Sequence, residues 1–275
     1  MPRLIKTALV AAGVPDSGRI SSGVDVVGDI AIVRLTDFGA KEKLKVARAL
    51  LDQLKNVKVV MEQEGGIGGE FRLRKLRHLA GERRTLTVHR ENGCAFKVDV
   101  ARCYFSPRLS TERLRIAEQV RKEERVLNMF AGVGPYSIPI SKLAGAEVIS
   151  CELNGLAAKL HLENNRENKV ERLVKVLHAD AAELPGLVKG RFDRVIMPLP
   201  SEADRFLQTA LELAKRGGLI HYYRHILGEN EEEAAQALRT ELGGLLPSRT
   251  RYKLRRVRAV GPRWLEMAAD ISAPG

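Results

Sequence analysis

The sequence is poor in cysteine, in long apolar runs and in acids. Its three cysteines, Cys94, Cys103 and Cys151, are an odd number with neither a Cys-x-x-Cys pair nor Cys/His ligand spacing, which excludes a disulfide framework and a zinc module. A reducing cytoplasm is the expected location. No stretch approaches the ~20 apolar residues that a spanning helix needs. The first fourteen residues hold two basic side chains and a short apolar stretch, without the long apolar centre of a secretory signal. Neither secretion nor membrane insertion is expected. Acids are outnumbered, 34 Asp+Glu against 46 Lys+Arg, for a net charge of +12. A field of that sign favours a polyanion or an anionic membrane surface. What is present is a globular composition: 44% hydrophobic and 29% charged residues over 275 positions. That is room for one large domain or two modest ones.

The first ~105 residues read as a small α+β domain, with element boundaries good to a few residues. Residues 24–35 form two short β runs broken at Gly28, and residues 41–55 form a helix with Leu44, Ala47, Leu50, Leu51 and Leu54 on one face. A strand over residues 57–62, glycines from Gly65 to Gly69, and three alternating runs with a turn at Asn92-Gly93 suggest antiparallel pairing. From Ser110 the texture changes to alternating strands and helices, which means a parallel, doubly wound sheet. The tail, around Gly261-Pro262, reads as a hairpin closing that sheet.

Four features fall at the carboxyl ends of successive strands, where ligands of such sheets bind. The first is Phe130-Ala131-Gly132-Val133-Gly134, a glycine turn from strand to helix that lets a ligand approach the backbone. Its third glycine position is Ser137, so it is half of a dinucleotide motif and equally suits a tight turn. Glu152 ends the next strand, where a carboxylate can take both ribose hydroxyls. Asp180 ends the third, placed for an adenine edge, and Pro198-Leu199-Pro200 ends the fourth. Singly, Glu152 also reads as a surface carboxylate and Asp180 as a helix cap. Together they describe a nucleoside-containing cofactor.

The stretch NMFAGVGPYSIPI, with ENGCAFKVDVARCYFSPRLSTERLR before it and GGLIHYY after it, resembles the archaeal and eukaryotic type of tRNA (guanine-N1)-methyltransferase. That family methylates the guanosine at tRNA position 37. The resemblance runs from about Val24 to Ile271. It implies an α/β fold in which a Rossmann-like class I methyltransferase domain (residues 108–275) follows a small α+β domain (residues 21–107). Residues 1–20 would be a reduced form of the family's N-terminal tRNA-recognition domain, or a segment standing in its place. The implied donor is S-adenosylmethionine, held by Arg113, Phe130, Ala131, Gly132, Gly134, Glu152, Leu153, Asp180, Ala181 and Pro198. The implied partner is tRNA, and a monomer is the expectation. Glu112 is the implied general base, Arg72 the donor to guanine O6, and Tyr104 an aromatic beside the target base. The related wybutosine-pathway aminocarboxypropyl transferase shares fold and donor and resembles the chain less.

Three departures stand out. Asn128 occupies a position where the family usually has an acid. Met197-Pro198-Leu199-Pro200 replaces Asn-Leu-Pro, so a side-chain donor thought to hold the target base is missing. The N-terminal domain is reduced or absent. The excess charge lies in two runs, Arg72–Arg90 and Arg249–Arg263, each with seven Arg/Lys, the first with one acid and the second with none. Such runs are solvated faces or phosphate-gripping surfaces. On the second reading Arg74, Arg77, Arg83, Arg84, Arg108, Arg255 and Arg256 meet the tRNA backbone, while Tyr104, Phe105 and Tyr136 can stack on an extruded base.

Overall fold

The computed structural model describes residues 2–16 and 23–274. The chain divides into two compact units, Met1–Thr111 and Glu112–Gly275.

In the first unit, helix α1 (Pro2–Ala11) buries Ile5, Ala8 and Leu9 in the same core as Val46, Ala47 and Leu50 of α2 (Ala40–Gln53). Of the N-terminal segment expected over residues 1–20, Ile5, Ala8, Leu9 and Val14 thus belong to this unit's core, and residues 1 and 17–20 lie outside the described residues. Strands β1 (Asp25–Val27), β2 (Ile30–Val33), β3 (Val59–Gly68) and β4 (Leu73–Gly81) form one sheet in that order. Strands β2 and β3 are parallel, joined by the α2 crossover. Of the expected face of α2, Ala47 and Leu50 are buried and Leu51 and Leu54 pack against the same core. Leu44 is 43% exposed, and Val46 and Ala49 are inside.

Strand β4 pairs with β3 rather than with its successor, because the glycine-rich Gly65–Gly69 stretch lets the chain fold back at once. The hairpin of β5 (Leu86–Glu91) and β6 (Cys94–Asp99) forms its own two-stranded sheet. It turns on Asn92 (φ 48°) and Gly93 (φ 70°), the left-handed pair that a two-residue hairpin requires.

The second unit is a seven-stranded sheet with helices on both faces. In chain order its elements are α3 (Ser110–Gln119, opening at the boundary), β7 (Arg125–Asn128), α4 (Ser137–Ala144), β8 (Glu147–Glu152), α5 (Gly155–Glu167) and β9 (Val174–His178). There follow α6 (Leu184–Leu187), β10 (Phe192–Met197), α7 (Ala203–Leu213), β11 (Ala214–Leu227), α8 (Glu231–Leu245), β12 (Tyr252–Gly261) and β13 (Trp264–Ser272). The strand order is β12-β13-β11-β10-β7-β8-β9, and β9, β8, β7, β10 and β11 run parallel. Chain progress reverses at β7, which has β8 on one side and β10 on the other, and the crevice at such a switch is where doubly wound sheets take ligands. The closing hairpin forms as expected, antiparallel, with β13 against β11.

Candidate active site in the second unit

At the carboxyl end of β7 the chain makes a tight loop anchored on both neighbouring strands. Met129 N donates to Ile196 O at 3.0 Å and Ala131 N to Cys151 O at 2.8 Å. Gly132 (φ 54°) and Gly134 (φ 95°) take conformations that side chains resist. A Cβ on Gly134 would lie 2.6 Å from the His161 ring, which comes up from α5. That ring is fully buried with no partner on either nitrogen among the described residues, and burial depresses its pKa to about 3, so it is neutral packing beneath the loop.

Glu152, at the end of β8, clasps this loop. One carboxylate oxygen accepts from Gly132 N at 2.6 Å and the other from Asn154 N at 2.8 Å. Burial pushes its pKa up, and the two backbone N–H groups pull it part of the way back. A carboxylate has about four acceptor positions, so the two backbone donors leave two of them. Asp180 accepts from Ala182 N at 2.8 Å as the cap of a single 3-10 turn, with Ala181 buried behind it. Leu153 is exposed, and its carbonyl meets the His178 ring at 3.1 Å. Pro198 is the centre of a three-residue turn in which Leu199 N donates to Met197 O at 2.8 Å. Phe130 packs edge-on against Phe206, 5.0 Å between centroids, an aromatic wall that sequence reasoning had only half found.

Asn128 is fully buried, donating to Ser137 Oγ at 3.0 Å and accepting from Phe130 N at 3.4 Å, while Ser150 Oγ donates to Ser137 Oγ at 2.7 Å. A neutral amide suits this closed polar set, since a carboxylate there could not donate to Ser137.

Glu112, on α3, is buried within a set of charged partners. It accepts from Arg115 Nε at 3.1 Å and Nη2 at 2.8 Å, accepts from Tyr223 Oη at 2.6 Å, and pairs with Arg255. Arg115 also donates to Asp270 at 3.0 Å. Asp270 accepts from His221 Nδ1 at 2.6 Å. Arg194, which can only donate, lies 2.7 Å from His221 Nε2, so the imidazole is neutral with its proton toward Asp270. Arg194 pairs in turn with Glu124. Burial raises Asp270, but the His221 and Arg115 hydrogen bonds more than reverse this and hold it well below the usual carboxylate range. A chain of ion pairs therefore runs from the sheet interior to Glu112. Sequence reasoning missed Asp270 and His221, although a lone polar residue in the apolar runs MAADI and LIHYY was a legible signal. Arg113, next to Glu112, is also buried.

Several expected tRNA contacts are otherwise engaged. Arg255 sits on Glu112 instead of standing free. Tyr136 is buried against Tyr223 and offers no open face, because the loop after β7 turns it into the unit. In the first unit Arg74 is buried on Asp25 and Gln63, Arg108 holds the same Asp25 at 2.6 Å, Arg77 pairs with Glu62 and Glu64, and Arg84 with Asp29 and Glu82. Arg83 is exposed. Tyr104 is half-buried and Phe105 buried, its ring 5.0 Å from that of His89. Arg72 lies in the β3–β4 turn with φ 52°, its N–H on Gly69 O. Arg256 is exposed on β12, without an ion-pair partner among the described residues.

A parallel sheet whose switch-point loop is clasped by a strand-end carboxylate defines a class I nucleoside-cofactor domain. Residues 87–240 match the TRM5/TYW2 methyltransferase domain and residues 6–85 the TYW2 N-terminal domain. The chain belongs to the TRM5/TYW2 family. It is 42% identical over 204 residues to tRNA (guanine(37)-N(1))-methyltransferase Trm5b of Pyrococcus abyssi, covering 74% of this chain and 60% of that protein. It is 32% identical over 260 residues to tRNA 4-demethylwyosine(37)-methyltransferase Taw21 of Saccharolobus solfataricus, covering 94% of this chain and 96% of that protein. The crystal structure of Methanocaldococcus jannaschii Trm5 in complex with adenosine superposes with a TM-score of 0.78 at 35% identity, over 94% of this chain and 76% of that one. The chain thus spans about 60% of the length of the Trm5b protein it matches.

Proposed function

We propose that this chain is an S-adenosylmethionine-dependent methyltransferase acting on the base at position 37 of tRNA, at N1 of guanosine. The observation that carries the reading is the Glu152 clasp on Gly132, which leaves carboxylate lone pairs open to a ribose beside a loop that only glycine can form. Gly132, Gly134, Glu152, Asp180 and Pro198 fit the nucleoside part of the donor, with Phe130 and Phe206 as an apolar wall. When bound, the donor supplies an electrophilic methyl group.

The chain supplies a base and charge. Guanine N1 carries a proton and is a weak nucleophile while neutral, so a carboxylate must take that proton, and Glu112 is the residue for it. Such help is typically worth ~10²–10⁴ in rate. Three acceptor positions of Glu112 take hydrogen bonds from Arg115 and Tyr223 and Arg255 pairs with the carboxylate, so the N1 proton reaches it once one of these neighbours gives way. Arg255, on the edge strand, is the most exposed of the three. Arg72 keeps the role that the resemblance gives it, a donor to O6 as negative charge develops there, worth ~10²–10³. A cytoplasmic location accompanies this reading.

A second reading has a specific observation behind it. The Taw21 protein is matched end to end, whereas Trm5b is longer, and Pro198 offers no side-chain donor to a guanine edge. On that reading the substrate base is 4-demethylwyosine. The test is labelled S-adenosylmethionine with unmodified tRNA transcripts carrying G or A at position 37, and with tRNA carrying 4-demethylwyosine there, followed by nucleoside mass spectrometry. N1-methylguanosine from the G37 transcript alone establishes the first reading. Label only on the tricyclic base establishes the second, and label retained only from the amino-acid portion of the donor would show aminocarboxypropyl transfer. Donor binding without transfer to any tRNA would make the chain a noncatalytic RNA-binding relative.

A further inference from the structure

Two carboxylates of the second unit share one guanidinium. Arg115, on α3, gives Nε and Nη2 to Glu112 at 3.1 and 2.8 Å, and it gives Nη1 to Asp270 at 3.0 Å. Asp270, on β13, is itself held from behind. Its direct cross-strand neighbour on β11 is His221, whose Nδ1–H donates to it at 2.6 Å. The other ring nitrogen accepts from Arg194 of β10 at 2.7 Å, and Arg194 reaches Glu124 through Nε at 2.7 Å and Nη2 at 3.2 Å. His221, Arg194 and Glu124 are all buried.

Stability alone does not call for this arrangement. Arg194 and Glu124 already neutralise each other, and apolar side chains in place of a buried polar chain are often as stable or more so. What the contacts achieve is position: a long, flexible Arg115 is pinned at two edges by carboxylates on different elements. Left with Glu112 alone, the guanidinium would spend its whole charge there and make that carboxylate a weaker base. The other groups that face Glu112 are Tyr223 from β11 and Arg255 from β12, with Arg113 next to it on α3 and Tyr136 behind Tyr223. Lys253, the register partner of Asp270 on β12, is exposed. Although burial raises Asp270, its His221 and Arg115 hydrogen bonds hold it well below the usual carboxylate range. It therefore stays negative over about pH 5 to 9. His221 is kept neutral by burial and by the Arg194 proton that faces it.

We propose that Asp270 is a positioning residue for methyl transfer: anchored by His221, it takes one edge of Arg115, so that Glu112 is held in place and keeps enough negative charge to take the guanine N1 proton. This role rests on Glu112 being the base, as proposed above. The test is single-turnover methyl transfer to a G37 tRNA transcript from about pH 5 to 9, with S-adenosylmethionine and tRNA both saturating. Rates are taken per S-adenosylmethionine-binding protein, so partial unfolding does not imitate the effect.

Asp270→Asn, nearly isosteric and uncharged, should lower the rate at neutral pH roughly 10- to 100-fold and move the acid limb of the profile down by about one pH unit, with both Kd values unchanged. His221→Leu leaves the Asp270 charge but removes its anchor, and should slow transfer roughly tenfold with the acid limb in place. His221→Asn, whose amide can donate from the Nδ1 position, should recover most of that loss. Glu112→Gln is measured beside them. A slow Glu112→Gln together with an Asp270→Asn of wild-type rate and profile overturns the positioning role and leaves the base intact. An Asp270→Asn that melts earlier or binds S-adenosylmethionine more weakly, with the rate per binding site and the acid limb unmoved, shows a structural role only and overturns it too. Equal rates for His221→Leu and His221→Asn overturn the anchor, whether or not Asp270→Asn folds. Glu112→Gln at the wild-type rate would bring down the base and the positioning role together.

Discussion

The two basic runs of this chain have equal numbers of Arg and Lys, yet the structure makes them different objects. In residues 72–90, Arg74, Arg77 and Arg84 are spent on acids of their own unit: Asp25, Glu62, Glu64, Asp29 and Glu82. In residues 249–263, Arg249, Arg251, Lys253 and Arg256 stand exposed without an ion-pair partner among the described residues. The first run is largely internal stabilisation. The second keeps these four available, while Arg255, Arg258 and Arg263 pair with Glu112, Glu266 and Glu229. A count of cations along the chain measures the field far from the protein but says nothing about which cations are free to meet a phosphate.

The comparison breaks most visibly under truncation. Arg74→Ala should cost about 3 kcal/mol in unfolding of the first unit, the low end for a broken buried pair, because Arg108 remains on Asp25 to share its charge. Arg256→Ala should change stability by no more than about 0.5 kcal/mol, as exposed substitutions do. Urea melts of the two variants check this. Equal losses would show that exposure does not separate the runs.

The next effect is on binding. Changing Arg249, Arg251, Lys253 and Arg256 together to Gln should flatten the dependence of log Kd for tRNA on log salt by roughly 3, at about 0.7 per lost single-strand phosphate contact. Changing Arg77 and Arg84 to Gln should leave that slope nearly as it was, since both already have carboxylate partners. Filter binding over a salt series reads both. A larger change from the Arg77/Arg84 pair would reverse the assignment.

The second unit was legible in outline because alternating strands and helices leave a period that survives in the sequence, and because ligand residues of such sheets gather at strand ends. Gly132, Glu152, Asp180 and Pro198 could be found that way. What could not be found are partnerships across long separations. Arg74 meets Asp25 49 residues away, Arg84 meets Asp29 55 away, and Arg108 meets Asp25 83 away. No local pattern marks such pairs, so the first run looked free. The partner of β4 was not legible for a similar reason: alternation shows that a run is a strand but not which neighbour it chooses. Tyr136 was read as a stacking residue from its type, and its burial follows from a backbone turn that residue type does not encode.

A smaller effect lies in the acid range. The Arg84 hydrogen bond is the main cause that lowers Asp29, bringing its pKa to about 2. A carboxylate depressed in the folded state adds stability above its unfolded value of about 4, and that stability fades as pH falls toward the folded one. The gap in stability between the wild type and Arg84→Gln should therefore be widest at neutral pH and narrow as pH falls from about 4 toward about 2, whereas Arg256→Ala should show no such dependence. Urea midpoints across pH 2 to 7 measure it, and a gap that stays constant would mean that Arg84 acts through packing rather than charge.

The smallest effect separates both runs from the cofactor site. Glu152 is raised, first by burial, with Asn154 and Gly132 pulling it back only in part. Its carboxylate should therefore take up a proton at a higher pH than an exposed Glu does. A protonated Glu152 loses acceptor positions for ribose hydroxyls, so donor affinity should weaken as pH falls through this raised value and be flat above it. Glu152→Gln should bind the donor more weakly at neutral pH and lose that dependence. Salt should leave donor affinity nearly unchanged in both proteins, because the contact is a short hydrogen bond in a partly closed site rather than a long-range attraction. Calorimetry against pH and against salt separates the two variables. Donor affinity that tracked salt as steeply as tRNA affinity does would place free charge at the nucleoside pocket, where the structure puts a clasped carboxylate instead.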